Sequence, residues 1–267
     1  MNNKPKIYDC FLFFNELELL DIRLNVHNEF VDYFVLLEST KTFSNKDKEL
    51  YYENNKHLFT KFKDKIIHII IDEHPKFDNT KDAFGDVWHY EHYQRNELAR
   101  GLGKCNDNDV IILSDLDEII NPVTIKEVVK QSSIVSLFFY SFYYYLNYLR
   151  NEKWYKPKVF RKKHLDKYTM QEIRDWSGPI KVYPKGGWHF SFLGGEEKIK
   201  YKIDSYAHQQ FNNEYVFSNI KSNIEKGKDI FNRNVEMKLI DIDKSFPKYI
   251  YENKERFIKK GLIKEIK

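Results

Sequence analysis

The stretch Asp109-Val-Ile-Ile-Leu-Ser-Asp-Leu-Asp-Glu118 constrains the fold most. Four apolar residues, Val110 to Leu113, run together and stop at Asp115, Asp117 and Glu118. A short β-branched apolar run with polar ends predicts a buried strand of a parallel sheet. Its carboxylates then sit at the strand's carboxyl end, where open α/β sheets bind ligands. Asp115 and Asp117 are two apart, so in a regular strand both point to one face and share one small volume. Such a pair is costly without a positive partner between its members. Carboxylate oxygens suit hard divalent cations, Mg²⁺ or Mn²⁺, which commonly arrive with substrate phosphates. The stretch therefore predicts an Asp-X-Asp site for a metal–diphosphate ligand. The plainer alternative is a loop of solvated acids, with Asp117 or Glu118 near the start of the next helix.

The rest of the chain limits the function classes. At 267 residues, 42% hydrophobic and 31% charged, it can bury a sizeable core as one large domain or two small ones. The net charge of +4 comes from dispersed Lys and Arg, which gives a nucleic-acid partner little support. The Lys-rich end, Lys248 to Lys267, reads as a solvated helix face. Two cysteines, Cys10 and Cys105, imply no disulfide framework and fit a reducing compartment. No signal-like apolar core opens the sequence and no run reaches membrane-span length, so a cytoplasmic protein is expected. The aromatic share, 16%, mostly fills cores but also lines sugar sites.

Strand and helix patterns alternate along the chain. Strands are expected at Ile7–Phe14, Tyr33–Leu37, Lys65–Ile71, from Val110, and at Ile134–Phe142. Helices are expected at Glu16–Phe30, Leu50–Lys63, Asp86–Leu102 and Val123–Gln131, the last beginning after Pro122. A polar loop passes through Pro75 and Gly85. Repeated βα units predict an α/β fold with a parallel sheet between helices. After Tyr148 the pattern turns irregular, and helical spacing returns near Glu214.

Several side chains are candidates for the ligand edge. Glu38 closes the second strand, where an acid holds a ribose or base, or simply shapes a turn. Lys46 and Lys48 follow in a loop, available to a diphosphate or to solvent. Gln94-Arg95-Asn96 offers a guanidinium and an amide to phosphate oxygens, or a polar helix surface. Arg174 lies in a later polar segment. The stretch Gly186-Gly-Trp-His-Phe-Ser-Phe-Leu-Gly-Gly-Glu-Glu197 combines glycines that permit close approach with a sugar-stacking plate, Trp188, and a metal or phosphate ligand, His189. Glu196 or Glu197 is a candidate base for an acceptor hydroxyl. His208 is a second histidine candidate, although taken alone its default reading is a structural role.

These segments together resemble glycosyltransferase family 17, the family of the bisecting β-1,4-N-acetylglucosaminyltransferase, in a compact bacterial-type form. The matching pieces are YDCFLFFNELELLDIRL, VDYFVLLESTKTFSNKDK, YQRNELARGL, DVIILSDLDEI, GGWHFSFLGG and KIDSYAHQ, in that order. The tail after Asn212 matches less well, and the animal enzyme's membrane anchor has no counterpart. The resemblance implies a single GT-A-like domain over residues 1–267 with a mostly parallel central sheet flanked by helices. It divides into a donor-binding βα half (1–145), an acceptor and metal half (146–212) and a helical tail (213–267). It further implies a UDP-sugar donor, UDP-N-acetylglucosamine in the characterised member, a divalent metal (Mn²⁺ or Mg²⁺) and inversion at the anomeric carbon.

The acceptor is then a glycan or lipid-linked sugar, with peripheral membrane contact open. In this scheme Asp117 holds the metal, Asp115 lies near the ribose or the metal's waters, and His189 or His208 completes the site. Glu38, Lys48, Arg95, Asn96, Asp115, Arg174 and Trp188 bind the nucleotide sugar, and Glu197, with Glu196 beside it, removes the acceptor's proton. Two rivals share the same residues. One is a haloacid-dehalogenase-type phosphatase with Asp115 as nucleophile, and the other a non-catalytic carbohydrate-binding protein.

Overall fold

The computed structural model describes residues 4–76 and 87–266. Its elements run β1 (Ile7–Leu12), α1 (Leu17–His27), β2 (Tyr33–Ser39), α2 (Tyr51–Asn55), β3 (Ile66–Ile71), α3 (Val87–Glu97), β4 (Val110–Leu113), β5 (Glu118–Ile120) and α4 (Pro122–Val128). They continue with β6 (Val135–Tyr143), β7 (Tyr148–Trp154), β8 (Lys158–Arg161), α5 (Met170–Arg174), β9 (Lys181–Ser191), α6 (Gly195–Ser205), α7 (Glu214–Lys226), β10 (Met237–Leu239), α8 (Lys248–Glu252) and α9 (Lys254–Lys259). The sheet order is β10-β7-β6-β8-β4-β1-β2-β3, with β9 beside β6 and β5 paired to β9.

The α/β class expected from the sequence is the class of this fold. β3, β2, β1 and β4 pair in parallel, joined by the βα units of the first half. Beyond β4, strand β8 runs antiparallel and carries the sheet into β6 and β7, while β9 lies parallel to β6. Alternate residues of the parallel strands face opposite layers. Phe11 of β1 and Ile112 of β4 join Leu20, Leu24, Ile125 and Phe257 in one core. Cys10 and Ile111 join Leu98, Leu102, Met170 and Ile173 in the other. Burial on both faces explains why these strands read as unbroken apolar runs. A third, aromatic cluster forms where Tyr143, Tyr144 and Phe192 meet Ile203 and Ile220.

Local chemistry sets the element ends. Asn121 accepts a bond from the Val123 amide and Pro122 takes the first helical position of α4, so that helix starts where the sequence placed it. Thr169 and Glu172 form a reciprocal capping box on α5. The expected helix at Leu50–Lys63 is instead the short α2 and a 3₁₀ turn over Lys56–Phe62, broken at Asn54-Asn55, two weak helix formers. The expected helix at Asp86–Leu102 is α3 followed by a 3₁₀ turn at Leu98–Leu102. Gly85 and Asp86 lie outside the described residues. The irregular stretch after Tyr148 is sheet as well. β7, with Asn151 and Lys153 exposed, and the exposed first half of β9 lack the apolar runs that mark the parallel strands. No helix among the described residues is long and apolar enough to cross a membrane.

Candidate active site

β4 ends at Leu113, and the chain makes an irregular turn over Ser114–Asp117 before entering β5. This turn separates the two aspartates that a regular strand would have pointed together. Asp115 leans toward α3 and α5: Arg174 Nη2 donates to its Oδ2 at 2.6 Å and Arg95 Nη2 to its Oδ1 at 3.3 Å. Asp117 leans toward β9 and α6: Lys202 Nζ donates to its Oδ2 at 3.0 Å, and His189 Nε2 stands 3.6 Å from its Oδ1. Each carboxylate thus has its own cation. Burial pushes both carboxyls toward protonation. Arg174 and Arg95 outweigh it at Asp115, and Lys202 and His189 at Asp117, so both are held below the ordinary aspartate range.

Glu118 orients the arginine. Its carboxylate is fully buried and accepts Arg174 Nη1 and Nη2 at 2.8 Å each, in a bidentate pair. The same carboxylate accepts the Asp115 amide at 2.7 Å and Trp154 Nε1 at 2.5 Å. Arg95 is held by Glu91 on the preceding turn of α3 and by the Gln171 side chain on α5. Asn96 Oδ1 accepts the Gln171 amide, which ties α3 to the start of α5.

Beneath the turn lies a buried clamp. Asp9 in β1 and Arg23 and His27 in α1 are all fully buried. Arg23 binds Asp9 through Nε and Nη2, at 3.0 and 2.6 Å, and Ser114 Oγ through Nη2 at 2.6 Å. Its Nη1 donates to the carbonyls of Asp115, Leu116 and Glu118. The Ile120 amide donates to His27 Nε2 at 2.8 Å, which places the ring proton on Nδ1, 2.8 Å from Asp9 Oδ2. One guanidinium and one imidazole therefore hold the turn's curvature from Ser114 to Ile120. Burial opposes charge on both groups; at Asp9 the neighbouring Arg23 and His27 prevail and bring the carboxyl down to about 2, while burial keeps His27 neutral.

β9 brings the Gly-Gly-Trp-His stretch to the acidic turn: His189 pairs with Glu118 and Trp188 with Ile119. A Cβ at Gly187 would stand 2.1 Å from the Ile119 carbonyl, so only glycine permits this approach. Strand alternation then divides the pair. His189 faces Asp117, whereas Trp188 joins the core with Ile119 and Leu137. Trp188 is therefore a packing residue, contrary to the sugar-plate expectation. The aromatic plate at the site is Trp154, which stacks on His189 with ring centroids 4.4 Å apart.

Other expectations are corrected in the same way. Both Glu38 oxygens accept amides at the start of α2, from Tyr52 and Glu53, so Glu38 caps a helix. Lys48 turns inward beside Glu38, with Nζ donating to the Phe14 and Glu49 carbonyls, and burial lowers its pKa to about 8. Lys46 pairs with Asp204. On α6, Lys202 takes the face toward Asp117; Glu197, five residues earlier, is turned about 140° away and is exposed. Glu196 pairs with Lys200. The exposed His208 stacks edge-on against Trp88 and meets Gln210, not Asp117.

Four side chains of this site escape a reading of the sequence: Lys202, Trp154, Arg23 and His27. Arg23 and His27 had a signal, because two basic residues four apart interrupt an apolar helical face opposite a charged residue, Asp9, in an apolar strand. Lys202 and Trp154 had none.

Among the described residues, no three His, Cys, Asp or Glu side chains gather as a metal cage. The Asp117–His189 edge nonetheless fits a cation that brings its other ligands with it. Oδ1 and Nε2 face each other beyond hydrogen-bond length, and the buried His189 Nδ1 has no hydrogen-bond partner among the described residues. A hard divalent ion needs few protein ligands when phosphates complete its shell.

No curated protein is significantly similar in sequence. A mannosyltransferase from Pyrobaculum calidifontis, solved with GDP-Man and Mn²⁺, superposes with a TM-score of 0.40 at 11% identity, over 62% of this chain and 47% of that one. An inositol-1-phosphate CTP transferase from T. maritima superposes with a TM-score of 0.37 at 12% identity, over 85% of this chain and 99% of the other. The model of glycosyltransferase family 17 matches residues 1–257, nearly the whole chain. The phosphatase and lectin alternatives give way to that match: the protein is a glycosyltransferase, and it belongs to glycosyltransferase family 17.

Proposed function

We propose that the chain transfers a sugar, N-acetylglucosamine, with inversion from a UDP-sugar to a glycan or lipid-linked sugar acceptor. The observation that carries this reading is the acidic turn at the carboxyl edge of β4, where Asp115 and Asp117 stand among Arg95, Arg174, Lys202 and His189. The donor's diphosphate suits the Arg95, Arg174 and Lys202 cations of that site. A divalent cation, Mn²⁺ or Mg²⁺, would be held by Asp117 and His189, and when bound it supplies positive charge to the leaving diphosphate. Asp115, fixed by Arg95 and Arg174, faces the nucleoside end. Trp154, stacked on the face of the His189 ring, holds that ring in place. A carboxylate takes the acceptor hydroxyl's proton as that oxygen attacks the anomeric carbon opposite the diphosphate. Glu16 fits this role better than Glu197, because its Oε1 already stands 3.1 Å from Lys202 Nζ inside the network.

The test is Asp117→Asn, which keeps the shape and removes the charge. UDP-sugar turnover should fall at least 100-fold with the circular dichroism spectrum unchanged. UDP and Mn²⁺ together should raise the wild-type melting temperature more than the sum of either alone, and the variant should lose that synergy. Turnover within threefold of wild type would remove the acidic turn from the mechanism.

A further inference from the structure

The donor reading gives Lys202 a partner once a donor is bound and leaves open what it does before one arrives. The side chain projects from α6 into the acidic turn, with Nζ 3.0 Å from Asp117 Oδ2 and 3.1 Å from Glu16 Oε1. Its ammonium lies over the Phe192 ring, whose centre is 5.8 Å from Nζ. Helix α6 is anchored on the same side by buried Ile199 and Ile203. The lysine is therefore part of a packed element and not a loose surface side chain. Its ammonium occupies one oxygen of the carboxylate best placed for a cation, and the other oxygen faces His189.

Resting on the donor reading above, we propose that Lys202 is the resident counter-ion of Asp117 and sets the order of binding. While the ammonium holds Oδ2, a dication arriving alone meets a carboxylate already neutralised and a positive charge beside it. A nucleotide diphosphate brings negative oxygens to both cations at once. The site then takes up the metal more tightly with the nucleotide than alone, and the ammonium is left against the diphosphate. The chain thereby avoids holding a metal with an open coordination shell between turnovers.

The experiment is Mn²⁺ binding to nucleotide-free protein, read by the loss of the free-ion electron paramagnetic resonance signal. Lys202→Met keeps the length of the side chain and removes its charge. It should bind Mn²⁺ about tenfold more tightly than wild type, the effect expected of a monovalent charge about 5 Å from a dication in water-like dielectric. Lys202→Arg should return the affinity to the wild-type level, which a loss of packing alone would not do. Adding Asp117→Asn to Lys202→Met should abolish the gain. Equal Mn²⁺ affinity in wild type and Lys202→Met, with Mn²⁺ still taken up in the presence of UDP, would overturn the counter-ion role and leave the donor reading standing. Failure of every form to bind Mn²⁺ even with UDP would overturn both.

Discussion

Replacing Arg23 by Met should show how much of the site rests on the buried clamp. The side chain is fully buried and saturates its donors on Asp9, Ser114 Oγ and three carbonyls of the acidic turn. Methionine fills similar volume but leaves the Asp9 carboxylate, among the described residues, with only the hydrogen bond from the neutral His27 and no cation. Breaking a buried ion pair from one side costs about 3–5 kcal/mol. The turn keeps some support, since the Glu118 amide still donates to the Asp115 carbonyl and the Phe190 amide to the Asp117 carbonyl. A loss of about 4 kcal/mol in a chain of this size lowers the melting temperature by about 8–16 °C. Urea and thermal unfolding, followed by circular dichroism, give both numbers. Adding Asp9→Asn to Arg23→Met removes both charges and should recover part of the loss, giving a coupling energy above about 1 kcal/mol. A drop below 3 °C, or strictly additive costs in the double variant, would refute the view that the acidic turn hangs on this guanidinium.

Two further outcomes follow from the geometry. Trp188→Phe should lower stability by about 1–3 kcal/mol with substrate constants unchanged, whereas Trp154→Phe, which frees the His189 ring and takes a donor from Glu118, should raise the Mn²⁺ requirement; steady-state kinetics at varied Mn²⁺ separates the two. Acid should destabilise the fold in two stages. His27 and Asp9 both have lowered pKa values in the folded chain, so each stabilises above its unfolded pKa and that contribution is lost on acidification. The first loss starts below about pH 6.5, as unfolded His27 gains its proton, and the second spans about pH 4 to 2, the interval between unfolded and folded Asp9. His27→Gln should shrink the first stage in a urea series across pH, leaving the part due to His74, His92 and His208, whose pKa values burial also lowers, and a stability flat from pH 7 to 5 in the wild type would contradict the neutral, Nδ1-protonated assignment.

The parallel half of the fold was legible because burial on both faces leaves an unbroken apolar word in the sequence, and Val110 to Leu113 spells one. The second half was not, because β7 and the start of β9 expose polar residues, and their partners are fixed by long-range pairing instead of local pattern. The same division holds within the site. Asp115, Asp117, Arg95, Arg174 and His189 were readable as charges near a sheet edge, and the structure brings all five together.

Orientation was harder to read than proximity. Trp188 and His189 are neighbours in one strand, so alternation forbids both from entering the same crevice, and the apolar ring takes the core. Glu197 fails on the other period: a helix that aims Lys202 at Asp117 turns the residue five positions earlier away. Glu38 fails because a helix start close to β2 offers two unpaired amides, which a buried carboxylate satisfies before any ribose can. The side chains that the sequence hid, Lys202 and Trp154, share one property. Each reaches the acidic turn from an element remote in sequence, and its function is set by which atom it meets there, a quantity that no local pattern carries.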